Sequence, residues 1–239
     1  GNDRLLIEEV EIDYGYDPLN RLTSADYSNG SNYSYGYDAT GNRTSQTIDS
    51  VTISSQYDAA DRLTNLGGVS LTWDDNGNLL NDGLFTYSYD YANRLTSLSS
   101  LTDSFSFQYD GLGNRYRLTT NGITTPYTLD IIAGLSQVLA DGSNTYFGGL
   151  GFENSSGLFY ALPDALGSTR QLANTGGMVA FSQSFDPYGN VLQQSAASPT
   201  PFGYSGEQSD PSGLIYLRAR YYSPAQGRFI TRDPFGGSA

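Results

Sequence analysis

The chain has no cysteine, no histidine and no lysine. Without cysteine there are no disulfides, thiolate metal sites or thiol nucleophiles. Without histidine, a Ser-His-Asp triad and a His-ligated zinc are excluded, and the usual general base is missing. No apolar run reaches the ~18 residues that a membrane helix needs, so no membrane span is expected. The opening Gly1-Asn2-Asp3-Arg4 lacks a signal-peptide pattern. A secreted form is therefore expected to be a processed product or a fragment of a longer polypeptide. Helical periodicity is scarce too, apart from a possible turn near Ile131–Leu139.

What the 239 residues do contain is aromatic and acidic. There are 20 Tyr, 11 Phe and 28 Gly, and hydrophobic residues make up only 38%. A core built from tyrosine needs a wet or hydrogen-bonded end for each ring, which suits thin sheets. The net charge is −13, which argues against a nucleic-acid partner bound through its phosphates. All 12 basic residues are arginine. Its planar fork pairs carboxylates and lies on aromatic rings, so the arginines are expected in placed structural roles.

An aromatic residue followed by aspartate recurs at Tyr16-Asp17, Tyr37-Asp38, Tyr57-Asp58, Trp73-Asp74, Tyr89-Asp90 and Tyr109-Asp110. Successive aspartates lie 21, 20, 16, 16 and 20 residues apart, the length of one supersecondary unit. Three residues after each aspartate stands Asn20, Gly41, Asp61, Gly77, Asn93 or Gly113, all of them types that tolerate a left-handed backbone. Aspartate at the first turn position hydrogen-bonds the backbone beyond it, and Pro18 suits the second. Each unit therefore reads as strand, type I turn with a bulge, and returning strand. Alternating runs such as Phe85-Thr86-Tyr87-Ser88-Tyr89 precede the turns, and Arg-Leu-Thr follows at Arg21, Arg62 and Arg94. The pattern points leucine inward and arginine and threonine outward. Arg43 and Arg115 follow the remaining two turns and are expected to pack along the sheet with the other three. Stacked hairpins bury a continuous aromatic row that no single unit buries alone.

These residues resemble the YD repeats of the Rhs family, the teneurins and the C components of Tc toxins. Later passages strengthen the likeness: Asp164-Ala165-Leu166-Gly167-Ser168-Thr169-Arg170, then Phe185-Asp186-Pro187-Tyr188-Gly189. Phe202-Gly203-Tyr204-Ser205-Gly206 through Asp233-Pro234-Phe235-Gly236 is similar to the Rhs repeat-associated core. The resemblance implies an all-β fold, with tandem YD hairpins forming a spiralling antiparallel strip or shell and a C-terminal Rhs-associated core. Its expected divisions are 1–125 for the repeat array and 126–239 for the core region continuing the same sheet. The implied function is a secreted or cell-surface scaffold, the wall or plug of a shell that encloses or presents a C-terminal toxin. Other open readings are a self-associating fibre or adhesion subunit that pairs with further copies of itself, and a glycan-binding surface.

The family's core also cleaves itself, and Asp210 and Asp233 match its paired aspartates. Two carboxylates sharing a proton can hydrolyse an amide without histidine. The family uses an arginine upstream of the first aspartate as well. Residues 191–208 contain none, which leaves Arg170 as the nearest earlier one. Yet Asp164, Asp186, Asp210 and Asp233 all open Asp-x-x-Gly, the turn grammar of the repeats, so a capping role competes with catalysis. Asp74-Asp75-Asn76-Gly77-Asn78 invites a calcium reading, but an EF-hand loop needs Gly sixth and Glu twelfth, where Leu79 and Phe85 stand. Neither a metal nor a cofactor is expected.

Overall fold

The computed structural model describes residues 10–132 and 134–233. Pro234-Phe235-Gly236 of the last motif lies outside the described residues. The chain divides into two compact units, residues 1–72 and 73–239.

The first unit is a seven-stranded antiparallel meander in sequence order, from Ile12–Tyr16 to Val69–Ser70. The second contains three antiparallel sheets, also in sequence order. One has seven strands from Thr72–Trp73 to Ile123–Pro126, one has eight from Thr128–Asp130 to Val191–Gln194, and one has four from Gln208–Ser209 to Arg228–Phe229. None of the sheets closes into a barrel. The one helical turn among the described residues is Tyr204–Gly206, and no described helix is long and apolar enough to cross a membrane. Near Ile131–Leu139, where a helical turn was possible, Gln137–Ala140 is a strand paired with Thr128–Asp130. The outcome is a hairpin because the run fits the two-residue alternation of a neighbouring strand better than a helical stripe.

Every repeat turn is built alike. The aspartate amide donates to the carbonyl four residues on, and the amide three residues on donates back to the aspartate carbonyl, as in Asp58 with Arg62 and Asp61. That third residue has positive φ in all six repeats: 60° at Asn20, 99° at Gly41, 58° at Asp61, 82° at Gly77, 58° at Asn93 and 89° at Gly113. Oδ1 of the aspartate caps the loop by accepting amides two and four residues later, as Asp90 does from Ala92 and Arg94 at 2.9 and 3.0 Å. The five tyrosine-bearing repeats also share a one-residue bulge directly before the tyrosine, at Gly15/Tyr16, Gly36/Tyr37, Gln56/Tyr57, Ser88/Tyr89 and Gln108/Tyr109. Asp74 makes the same cap with Asn78, so its acidic run is a turn.

The two faces of the sheets differ. Tyr27, Tyr33, Tyr35 and Leu63 are buried in the first unit, and Tyr87, Leu95, Leu98, Phe105, Phe107 and Leu118 in the second. The opposite face carries rows of hydroxyls. Ser24, Ser34, Thr47 and Thr52 are cross-strand partners, as are Ser88, Ser97, Ser106, Thr119 and Thr124. Alternation along each strand enforces this division.

The turn caps set an acid limit. The carboxyls of Asp17 and Asp58 are held below the ordinary aspartate value, first by the Arg21 and Arg62 amides respectively. For Asp110 the foremost cause is the Asn114 side-chain amide. At Asp38 and Asp90 burial pushes upward, and hydrogen bonds outweigh it, chiefly from Thr40 and from the Arg94 amide. These groups bind protons less tightly folded than unfolded. Their contribution is therefore present above the unfolded value near 4 and is lost as pH falls through the lower folded values. The melting temperature should drop steeply below about pH 4, and Asp58→Asn should flatten that slope. A slope unchanged by the substitution would show that this cap contributes nothing to it.

Candidate functional site

Neighbouring repeats are coupled through their tyrosines and arginines. Tyr37 Oη donates to the Leu22 carbonyl at 2.7 Å, Tyr57 Oη to that of Arg43 at 2.9 Å, and Tyr109 Oη to that of Leu95 at 2.8 Å. Each bond reaches back to the preceding hairpin. Arginine reaches forward: the Arg21 guanidinium lies 4.7 Å from the Tyr37 ring centroid and donates to the Asp38 carbonyl at 2.9 Å. Arg94 does the same over Tyr109, at 5.1 Å. Arg21, Arg62 and Arg94 also pair with their own turn aspartates, Asp17, Asp58 and Asp90, at 2.6–2.7 Å. Tyr16 is exposed, and the Tyr89 hydroxyl is buried without a hydrogen-bond partner among the described residues.

The arginines are not one class. Arg21, Arg62 and Arg94 stand four residues after the aspartate and face outward. Arg43 and Arg115 stand five after it, where Leu22, Leu63 and Leu95 occur in other repeats. That place faces the core. Arg43 and Arg115 are accordingly buried, Arg43 over the Tyr35 ring and Arg115 over the Tyr216 ring, so they stack on tyrosine from the core side of the sheet. An Asn inserted before the arginine, at Asn42 and Asn114, is the sequence signal for the inward position.

Arg115 is wholly buried and forms the centre of the site. Its Nη1 donates to Asp210 Oδ2 and, at 3.0 Å, to Tyr221 Oη, while Nη2 donates to Gln208 Oε1 at 3.2 Å. The backbone amide of Arg115 donates to Tyr216 Oη. The guanidinium lies 4.1 Å from the Tyr216 ring centroid and 5.3 Å from that of Tyr127, with Phe107 and Tyr221 at 5.7 Å. Gln208, Tyr216 and Tyr221 are cross-strand neighbours on one face of the four-stranded sheet. The C-terminal sheet thus grips a residue of the last repeat hairpin. Burial works against the Arg115 charge, and the attraction of Asp210 outweighs it. Burial likewise raises the Asp210 carboxyl above its ordinary value, with Arg115 opposing. Tyr127 is pushed up to about 12, mainly by burial.

Asp210 departs from the turn grammar that its sequence shares. Its backbone closes the usual loop with Gly213 and Leu214, but its carboxylate turns away to Arg115. Asp164 and Asp186, by contrast, cap their own turns through Oδ1. Asp233 is half exposed and pairs with Arg220 at 3.2 Å. Arg220 also lies 3.6 Å from the Phe229 ring centroid. Because Arg220 and Tyr221 are consecutive in one strand, they serve opposite faces of it. Arg170 pairs with Asp164, so the arginine on Asp210 comes from the repeat array, 95 residues earlier in sequence. No local pattern could have paired them.

Beside this clasp lies an open cavity of about 490 Å³, whose walls include Asp210, Tyr127, Asp141, Asn144, Gln183 and Thr200. No group of three or more acidic or imidazole side chains suited to a metal occurs among the described residues.

A family model described as "Teneurin YD-shell" matches residues 2–125 and 148–237. The chain is similar to the tRNA3(Ser)-specific nuclease WapA of Bacillus spizizenii, at 32% identity over 93% of this chain and 10% of that protein. It is also similar to toxin subunit YenC1 of Yersinia entomophaga, at 33% identity over 33% of this chain and 9% of that protein. Among solved structures, the TcdB2-TccC3-Cdc42 crystal structure aligns with a TM-score of 0.51 at 16% identity, over 94% of this chain and 17% of that one. The chain thus spans a small part of the proteins it matches.

Removing one partner of a buried ion pair strands the other charge. Arg115→Met is expected to destabilise the second unit by about 3–5 kcal/mol, measured by denaturant unfolding. The double change Arg115→Met with Asp210→Leu should recover most of that loss. Additive losses in the double variant would show that packing, and not the pair, holds the clasp.

Proposed function

Because this chain belongs to the teneurin YD-shell family, we propose that it is a wall segment of an extracellular or cell-surface scaffold that encloses or presents a toxic polypeptide. The observation that carries this reading is the Arg115 clasp, which ties the hairpin array to the C-terminal sheet. A wall needs neighbouring hairpins coupled, and within each unit the tyrosine and arginine contacts supply such coupling. The similar nuclease and toxin subunit correspond to this chain over only 10% and 9% of their lengths. In our reading the toxic activity belongs to other parts of such polypeptides, and this segment supplies enclosure. A partner is then the rest of a longer polypeptide. In one that carries this chain with a C-terminal extension, the extension should resist a protease that digests it when free. Arg115→Met should make it sensitive. Equal digestion of the free and attached extension would reject enclosure.

A second reading is self-cleavage, favoured by the diverted Asp210 carboxylate, which is buried with its proton affinity raised. Asp233, held by Arg220 on the opposite face of the strand from Tyr221, would have to move to Asp210 for the two to share the acid and base roles. In a chain extended past Ala239, Asp233→Asn should abolish cleavage as seen on a denaturing gel. Cleavage persisting in that variant would exclude Asp233 from the chemistry.

A further inference from the structure

We propose that the cavity beside the clasp is a binding site for a neutral saccharide, about one or two sugar rings in size. At about 490 Å³ it falls within the ordinary range of small-molecule sites. Asp210, fully buried, spends Oδ2 on Arg115. Its Oδ1 receives no donor among the described residues, although the residue forms part of the cavity wall. One unspent carboxylate oxygen in such a wall suits a hydroxyl donor.

Two further wall side chains, Asp141 and Gln183, are already fixed. Asp141 accepts amides of Ser143 and Asn144 and the hydroxyl of Tyr146. Gln183 is held between the Thr169 carbonyl and Gln194. A site whose side chains are locked loses little entropy on binding. Thr120, Thr125 and Ser209 add hydroxyls, and the half-buried Tyr127 adds ring surface for the C–H face of a sugar.

Charge narrows the class. No arginine side chain lines the cavity, so nothing there compensates an anionic sugar. A cation finds little to recognise, because Asp210 is already paired with Arg115 and both oxygens of Asp141 already accept hydrogen bonds within the wall. A neutral ligand with many hydroxyls meets neither objection.

Saturation-transfer NMR on the whole chain tests this, with cellobiose, maltose, lactose, diacetylchitobiose and glucuronate as probes. At least one neutral disaccharide should bind at roughly millimolar concentration, and glucuronate should not. Ser198→Trp, placed on the cavity wall in an exposed loop, should weaken that binding ~10-fold or more with the unfolding curve unchanged. Absence of signal from every neutral probe, equal binding of glucuronate, or binding that survives Ser198→Trp would each overturn the proposal. Because enclosure is read by protease protection and this site by sugar binding, failure of either leaves the other standing.

Discussion

The structure depends on a carboxylate that caps its own turn. Without Asp accepting the amides two and four residues on, the loop would leave polar groups unmet at every hairpin. The cap fixes a positive φ at the third residue, and the bulge beside it sets the register of the strands. Register then decides which face the tyrosine takes and lets its hydroxyl reach the previous hairpin. A local hydrogen bond repeated about every 20 residues thereby propagates into long-range order.

This logic explains what was legible in the sequence. Turn positions, the left-handed residue and the strand alternation follow from short spacings, and the hairpins stand where Asp17, Asp38, Asp58, Asp74, Asp90 and Asp110 indicate. The orientation of Arg43 and Arg115 was not read from the sequence, because one added asparagine shifts arginine by a single place. In a strand of period two, one place exchanges the faces. Asp210 was illegible for a different reason. Its Asp-Pro-Ser-Gly is indistinguishable from a capping turn, and only a partner 95 residues away draws the side chain off.

The clasp also shows how the chain uses tyrosine. Four aromatic rings surround the Arg115 guanidinium; the Tyr221 hydroxyl accepts from it, and the Tyr216 hydroxyl accepts from the Arg115 backbone amide. A buried arginine needs partners for five N–H groups, and aliphatic residues supply none. Tyrosine supplies packing surface and an acceptor together. The composition that looked poor for a thick globule is thus suited to burying a cation between thin sheets.

The segregation of charge has a further consequence. The repeat aspartates stand in turns, while the polar sheet face is a lattice of serine and threonine hydroxyls. Consecutive turns on one border are two strands apart, about 10 Å. Two unit charges at that separation in water repel by only ~0.4 kcal/mol. At physiological ionic strength the Debye length is shorter still, ~8 Å, so each turn interacts appreciably with its immediate neighbours alone. The electrostatic penalty of lengthening such a strip is therefore constant per repeat. Total charge can grow with length without a growing self-repulsion to limit how many hairpins are joined, the more so where Arg21, Arg62 and Arg94 pair with their own turn aspartates.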